Sequence, residues 1–183
     1  MERKTKIILL DSDVISHFIA NDALADLPLI LAPHICVVLD YVYKEIARHS
    51  FRKDLLDALI SDKRIEMMDF PLDDEAVKRE FALIKKRNYL IGDGERACMA
   101  VARFSRDVVA SSNFRDIAPY CKTNDIDYLG TLDILAIAVK KELYDECKCD
   151  LFMTNARDKN KARFPREVTR FCYYVEPDLS FLD

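Results

Sequence analysis

The sequence predicts an α/β fold with a central, mainly parallel sheet flanked by helices. Short apolar runs of strand length alternate along the chain with longer amphipathic segments, which is the pattern of successive β-α units. The chain has 183 residues, 50% of them hydrophobic, and can therefore bury one sizeable core. It contains no linker rich in proline, glycine or serine and no internal repeat, so we predict a single domain over residues 1–183.

The first elements follow from apolar runs and capping residues. Lys6–Leu10 is mostly apolar and of strand length, as expected for a strand buried on both faces. The polar triplet Asp11–Asp13 offers helix-capping side chains to a helix over Val14–Ala20. A second apolar run, Ile30–Val38, predicts a short strand that enters a helix around Leu39–Ala47.

The middle of the chain continues the alternation. Leu55–Ile60 has the composition of a helix and Arg64–Phe70 that of a strand. Asp73–Asn88 is a charged amphipathic segment that predicts a helix, and Gly92–Ala102 carries small residues suited to close helix packing.

The last third predicts further β-α units and a basic tail. The expected elements are a strand at Asp107–Ala110, a short helix at Phe114–Cys121, a strand at Ile126–Leu129, a long helix at Thr131–Glu146, a basic polar stretch at Arg157–Arg166 and a final strand at Cys172–Val175.

Composition excludes several classes of protein. The six cysteines and three histidines show no Cys-x-x-Cys pair and no metal-ligand spacing, so zinc is not expected and most cysteines should be small buried hydrophobic residues. The chain has no signal peptide and no apolar run of transmembrane length, so we expect a soluble, cytoplasmic protein that does not contact a membrane. The net charge of −4 disfavours tight nonspecific binding to nucleic acid unless cations neutralise part of it.

Four acidic residues lie at the ends or on the faces of predicted elements. Asp11 ends the first strand, Glu45 lies in an apolar and aromatic helix, Glu95 follows Gly92-Asp93-Gly94, and Asp116 comes six residues after Ala110. Desolvating a carboxylate costs several kcal/mol, so these positions are not explained by packing. Converging carboxylates repel one another, and a hard divalent cation relieves that repulsion best. The set therefore predicts a Mg²⁺ or Mn²⁺ site.

Two of these acids also have ordinary structural explanations near strand ends. Either Asp11 or Asp13 could serve as the N-cap of the following helix. Asp116 could belong to a plain turn after Ser111–Asn113, although the hydroxyls and the amide of that segment could also orient a water or a phosphate. Since functional groups in parallel sheets collect beyond the carboxyl ends of the strands, Asp11 and Asp116 are both expected there.

The two glutamates have structural explanations as well. Glu45 could be an exposed residue paired with Lys44 or Arg48. Glu95 could complement the dipole of its helix, since acids are common in a first turn. Asp93 is the better candidate for the N-cap of that helix, which would leave Glu95 available for chemistry.

With these residues in order, the chain resembles the PIN-domain family, which includes the ribonuclease toxins of bacterial toxin–antitoxin operons. The match spans about residues 6–140. Its segments are Ile7–Asp13 with the first acid, Tyr43–Ile46 with the second, Gly94-Glu95 and the alanine-rich helix with the third, Ser111–Asp116 with the fourth, and Leu129–Leu132, which resembles a Gly-Thr segment of one PIN-like subgroup.

The resemblance implies hydrolysis of phosphodiester bonds, with the four acids around one or two Mg²⁺ or Mn²⁺ ions. It places Asp13, Ser112 and Asn113 behind them, where hydroxyl and amide groups orient ligands and water. The family's third acid is commonly Asp and is Glu95 here, and Asp13 stands where Asn or a small polar residue is frequent, which leaves the number of cations open. The segment from about Glu146 onward has no counterpart in the family pattern.

By the same resemblance, the expected substrate is single-stranded RNA, cut internally. An antitoxin-like protein partner is implied if the chain is a toxin, and a homodimer is compatible with it. Two basic runs are candidate RNA contacts, and each is equally compatible with an ordinary solvated face. They comprise Lys85, Lys86, Arg87, Arg157, Lys159, Lys161, Arg163 and Arg166.

Two alternatives stay open at this point. Ile7–Ser16 also resembles the opening motif of haloacid-dehalogenase-like phosphatases, in which Asp11 would be the nucleophile and Asp13 the acid/base. The order of the remaining motifs disagrees, because Gly92-Asp93 precedes Ser111–Asn113 instead of following it. The second alternative is a non-catalytic PIN-like binding module.

Overall fold

The structure, a computed structural model, describes residues 5–182. Its strands are β1 (Ile7–Leu10), β2 (Ile35–Leu39), β3 (Glu66–Met68), β4 (Val108–Ala110) and β5 (Tyr128–Leu129). They form one sheet in the order β3-β2-β1-β4-β5, and all neighbouring strands are parallel. The predicted α/β class with a parallel sheet is confirmed.

Helices flank this sheet. They are α1 (Ser12–Ala20), α2 (Leu27–Leu31), α3 (Asp40–Ile46), α4 (Ser50–Ser61), α5 (Glu75–Arg87), α6 (Asp93–Ser105), α7 (Phe114–Asn124), α8 (Thr131–Lys140) and α9 (Glu146–Asn160), with 3₁₀ turns at Leu24–Asp26, Phe171–Tyr173 and Ser180–Leu182.

Strand β1 is the centre of the sheet, as its apolar sequence predicts. Ile8, Leu9 and Leu10 have no exposed surface. The strand pairs with β2 on one side and with β4 on the other, so the order of connections reverses at β1. The crevice beyond the carboxyl ends of β1 and β4 is where ligands bind in such sheets. Asp11 and Ser111 are the first residues after these two strands.

Helix α6 brings its first turn to that crevice because its sequence allows close packing. Ala97, Cys98, Ala100 and Ala102 are fully buried, and these small side chains let α6 lie between α3 and α5 and against the sheet. The prediction from its small residues is confirmed. At its start, α6 approaches α3 so closely that a Cβ on Gly94 would lie 3.0 Å from an oxygen of Glu45.

The predicted long helix over Thr131–Glu146 is wrong in its second part. Helix α8 ends at Lys140, and Glu142 adopts a left-handed φ of 57°, which interrupts the helix. A new helix, α9, begins because the Asp145 carboxylate accepts a hydrogen bond from Lys148 N at 2.7 Å. Helix α9 also covers the first four residues of the basic stretch Arg157–Arg166, up to Asn160.

The predicted strand at Cys172–Val175 is also wrong. Phe171–Tyr173 forms a 3₁₀ turn, since Phe171 N donates to Asp150 Oδ1 at 2.6 Å and the Tyr174 hydroxyl donates to Asp133. These contacts hold the segment to the helices instead of to a sheet edge. Cys172 is exposed, unlike the buried position that its apolar neighbours indicate.

The C-terminal residues pack against the rest of the fold. Phe152 of α9 makes an edge-to-face contact with Phe18 of α1 at a centroid distance of 4.8 Å. Further along, Lys140 Nζ lies 2.7 Å from Glu176 Oε1. Among residues 5–182, no helix combines the length and the apolar composition needed to cross a bilayer.

Candidate functional site

Asp11 lies at the bottom of the crevice. It is 3% exposed, and its two oxygens accept hydrogen bonds from Ser12 N at 2.7 Å and from Ser111 Oγ at 2.9 Å. Asp11 is therefore the N-cap of α1, while Asp13, the other capping candidate, is exposed in the first turn of the helix. The cap fixes the orientation of the Asp11 carboxylate, which is compatible with a role at the site.

Glu45 faces the crevice and makes no ion pair with its neighbours in sequence. Its oxygens accept hydrogen bonds from Ser12 Oγ and from Gly94 N, each at 2.8 Å. Lys44 is paired with Asp40 at 2.6 Å instead. Gly94 is required here for space, not for a special φ, because no glycine among the described residues has a positive φ. The structural alternative for Glu45 is wrong.

Glu95 is a buried acid whose hydrogen bonds are incomplete. It is 6% exposed, and Asn113 Nδ2 donates to its Oε2 at 3.2 Å. Its other oxygen, Oε1, is buried and has no hydrogen-bond partner. A buried polar atom without a partner costs about 1–3 kcal/mol, so this oxygen can accept from, or coordinate, a group bound between the acids.

The predicted capping role of Asp93 is wrong. The N-cap of α6 is Gly92, and no side chain caps this helix. Asp93 lies in the first turn and is paired with Arg96. Glu95 lies about 100° around the helix from Arg96 and therefore points in a different direction. It faces Asn113, whose amide donates to it.

Asp116 is held by two amides at the start of α7. Asn113 Nδ2 donates to Oδ2 at 2.7 Å, and Asn88 Nδ2 donates to Oδ1 at 3.1 Å. The Asn113 amide therefore joins Asp116 to Glu95, as a residue behind the acids would. Asn88, which precedes α6, was not among the predicted site residues.

The acids perturb one another strongly. Burial, followed by the charge of Asp13, raises the pKa of Asp11 to about 7. Burial, followed by the charge of Asp11, raises the pKa of Glu95 to about 9, and Asp116 contributes in the same direction. Carboxylates buried among like charges favour the protonated form, and a bound cation would reverse that preference.

The predicted supporting role of Ser112 does not match its contacts. Its hydroxyl lies 2.5 Å from Thr131 Oγ1, which in turn lies 2.9 Å from His17 Nδ1. The neighbouring Ser111 is the serine whose hydroxyl reaches Asp11. Successive residues after a strand point in opposite directions, so one position decides which serine reaches the acid. Asp13 is exposed and makes no hydrogen bond with the four acids.

The two basic runs lie in different surroundings. Lys85, Lys86 and Arg87 are exposed at the end of α5, directly before Asn88. In the second run, Arg157 donates to Val168 O at 2.8 Å and Lys159 donates to Ala20 O at 2.7 Å, which fixes α9 to the fold. Lys161, Arg163 and Arg166 are exposed.

The donor set suits a hard divalent cation. Every acidic donor is a carboxylate oxygen, which is the ligand type that Mg²⁺ and Mn²⁺ prefer. Among residues 5–182, no three histidine, cysteine or acidic side chains already lie close enough to enclose a metal ion. Ser12 links Asp11 to Glu45, and Asn113 links Glu95 to Asp116. The unpartnered Glu95 Oε1 fits such a cation.

The fold is similar to that in the crystal structure of VapBC2 from Rickettsia felis bound to a DNA fragment from their promoter. The TM-score is 0.51 at 13% sequence identity, and the similarity covers 68% of this chain and 98% of that chain. At this identity the likeness concerns the fold alone. No protein-family model and no curated protein matches the sequence.

Proposed function

We propose that this chain is a Mg²⁺- or Mn²⁺-dependent endoribonuclease of the PIN type that cuts single-stranded RNA. The observation that carries the proposal is the convergence of Asp11, Glu45, Glu95 and Asp116 on one crevice, with a buried glutamate oxygen that lacks a partner. The likeness to the VapBC2 structure supports the same proposal at the level of the fold.

The cation would be held by carboxylate oxygens of Asp11, Glu45, Glu95 and Asp116. When bound, it supplies a water of lowered pKa and neutralises charge on the scissile phosphate. In this proposal the attacking group is water, and the carboxylates would hold the cation instead of attacking the phosphate themselves.

The surrounding residues would position the acids. Ser111 holds Asp11 by one oxygen, and Ser12 and Gly94 hold Glu45 by both. The Asn113 amide keeps Glu95 and Asp116 in a fixed relation. Such groups behind a metal ligand typically contribute 10- to 100-fold to affinity or activity, and we assign that role to Ser111 and Asn113.

We further propose how the protein is used. The exposed residues Lys85, Lys86 and Arg87 beside the crevice are the favoured phosphate contacts, whereas Arg157 and Lys159 are occupied by backbone carbonyls. Residues 1–183 would act as one domain in the cytoplasm. As a toxin, the chain would be inhibited by an antitoxin-like protein, and a homodimer is compatible with this role.

The test is cleavage of a labelled single-stranded RNA by the purified protein with Mn²⁺. We expect internal cuts that disappear with EDTA and in Asp11→Asn and Asp116→Asn, whose melting temperatures should not fall. Asp73→Asn is the matched control, because Asp73 is an exposed acid outside the crevice. Equal cleavage by the wild type and Asp11→Asn would show that the acids are not the active site.

The same material separates the alternatives. The phosphatase hypothesis uses Asp11 and Asp13 and gives no function to Glu45 or Glu95, although both lie in the crevice. Covalent trapping of a phosphate analogue on Asp11 would favour it. Mn²⁺ binding without any RNA cleavage would favour a binding module.

A further inference from the structure

A cavity of about 370 Å³ is lined by Asp116 but not by the other three acids. It lies between the end of α5, the connection to α6, and α7. Ligand sites commonly have volumes of about 300–1,000 Å³, so this space can hold a small planar group. Ile91, Met99 and Tyr120 line it and give it an apolar surface.

The cavity is continuous with the candidate site. Asp116 and Asn88 line it, and these two side chains are joined by the hydrogen bond that holds the Asp116 carboxylate. Asp116 also contributes to the negative potential around Glu95. A strand whose phosphate lies at the acids would therefore place a neighbouring nucleotide at the cavity.

The aromatic wall is rigid. The Tyr120 hydroxyl donates to Glu80 Oε1 at 3.0 Å, and the same oxygen accepts a hydrogen bond from Arg103 at 3.1 Å. This network fixes the phenol ring on the cavity wall. A fixed aromatic face is the platform on which bases of single-stranded nucleic acid stack, at about 1–3 kcal/mol per base.

Two arginines line the cavity, and neither is used by the fold. Arg87 and Arg115 are exposed, and among residues 5–182 their side chains have no hydrogen-bond or ion-pair partner in the structure. Lys85 and Lys86 precede Arg87 but do not line the cavity. Guanidinium groups bind phosphate by parallel hydrogen bonds, so two free arginines beside an apolar pocket complement a nucleotide.

We propose that this cavity binds the base of the RNA nucleotide next to the cleaved bond, with its phosphate between Arg87 and Arg115. The base would lie on the apolar surface formed by Ile91, Met99 and Tyr120. This inference rests on the proposed nuclease function for its substrate, but it concerns binding and is tested separately from cleavage.

The experiment measures binding of a labelled single-stranded hexanucleotide RNA by fluorescence anisotropy, with Ca²⁺ in place of Mg²⁺ or Mn²⁺. Arg87→Ala combined with Arg115→Ala should raise Kd about tenfold through lost phosphate contacts. Thr123→Trp, at an exposed residue of the cavity rim, should fill the space and raise Kd about fivefold or more while keeping both charges.

Arg79→Ala is the matched control. Arg79 is an exposed arginine on the same helix, about 12 Å along the axis from Arg87 and outside the cavity, so its loss should change Kd less than about twofold. Melting temperatures check folding, and Thr123→Phe replaces Thr123→Trp if the larger ring lowers the melting temperature.

The outcomes separate the two proposals. Weaker binding in the cavity variants together with no cleavage under Mn²⁺ would support the nucleotide site and overturn the nuclease. Normal cleavage with unchanged Kd in Thr123→Trp would overturn the nucleotide site and leave the nuclease standing. An equal effect of Arg79→Ala, or binding of an acidic peptide in place of RNA, would also overturn it.

Discussion

Two glutamates on neighbouring helices are equally buried but have opposite surroundings. Glu80 on α5 is 5% exposed, and its Oε1 accepts hydrogen bonds from Arg103 and from the Tyr120 hydroxyl. Glu95 on α6 is 6% exposed, receives one hydrogen bond from an amide, and leaves its second oxygen without a partner. Helices α5 and α6 pack against each other, so both carboxylates lie in the same layer of the fold.

The difference shows that burial alone does not identify a functional carboxylate. Glu80 has a cation and a hydroxyl as partners, so the fold supplies what its charge needs. The charged neighbours of Glu95 include Asp11, Asp13 and Asp116, so burial among like charges raises its pKa and a bound cation would stabilise its ionised form. We therefore expect Glu80 to act in stability and Glu95 in metal binding and catalysis.

The largest effect should be the loss of cleavage in Glu95→Gln, measured against Glu80→Gln. Glu95→Gln should lower the rate of RNA cleavage by more than the 10- to 100-fold typical of groups behind a metal ligand, because it removes a proposed ligand itself. Glu80→Gln keeps an oxygen that can accept from the Tyr120 hydroxyl, so it should cleave at nearly the wild-type rate once folded. Single-turnover assays with Mn²⁺ measure both. A similar loss in the two variants would end the distinction between them.

A smaller loss of activity should separate the two adjacent serines. Ser111→Ala removes the hydroxyl that donates to Asp11, so we expect cleavage to fall about 10- to 100-fold. Ser112→Ala removes a hydroxyl bonded to Thr131 and should change the rate much less. The comparison uses rates at saturating Mn²⁺. The reverse order would mean that the residue closest to Asp11 has been assigned wrongly.

The free energy of unfolding should show the reverse order: substitution of Glu80 should lower it, and substitution of Glu95 should not. Glu80→Ala leaves Arg103 and the Tyr120 hydroxyl without their acceptor, which should lower the free energy of unfolding by about 1–3 kcal/mol. In metal-free protein, Glu95→Gln should not lower it, because near neutral pH it replaces a carboxyl group that burial among like charges keeps protonated with a neutral amide of the same size. Urea denaturation in EDTA measures both values. A metal-free Glu95→Gln that is less stable than Glu80→Ala would contradict the comparison.

The smallest effect is on the pH dependence of thermal stability. The pKa values of Asp11 and Glu95 are raised in the folded state above their ordinary values of 3.8 and 4.5, so the folded protein holds protons that the unfolded chain has released. The stability from these groups is full below about pH 4 and is lost as pH rises toward 9. The metal-free melting temperature should therefore fall over this range.

A divalent cation binds the ionised acids, so its effect should grow with pH. We expect Mn²⁺ to raise the melting temperature by a few degrees more at pH 8 than at pH 6, where about 2–4 °C corresponds to 1 kcal/mol for a domain of this size. Differential scanning fluorimetry measures the shifts. In Glu95→Gln, the rise in melting temperature caused by Mn²⁺ should differ less between pH 8 and pH 6 than it does in the wild type. In Glu80→Gln it should differ as much as in the wild type.

The sequence predicted much of the site because its signals are local. A strand that is apolar throughout and ends in Asp11 places that carboxylate at the carboxyl edge of a parallel sheet, whatever follows. The Asn113 amide lies three residues before Asp116 on a helix start, so their contact is also a local one. The catalytic and metal-binding roles of these residues remain predictions.

The residues that sequence reasoning missed act across long separations. Asn88 contacts Asp116 from 28 residues away, and Gly94 N donates to Glu45 from 49 residues away. Ser111 was passed over for Ser112 because both are hydroxyls and only the strand's exact end decides between them. Gly94 provides space and not a special φ, and the residue that needs this space, Glu45, is far from it in sequence.

The sequence by itself determined the α/β class and the buried central strand, because hydrophobic periodicity is a property of the local chain. It also indicated the four acids as candidates, and their role as a site stays a prediction. Only the tertiary structure decided which buried carboxylate is satisfied. Glu80 and Glu95 are both acids on predicted helices, and nothing local shows that one meets an arginine and the other meets aspartates. That outcome depends on helix packing, since the energy of a buried charge is set by the neighbours that packing brings to it.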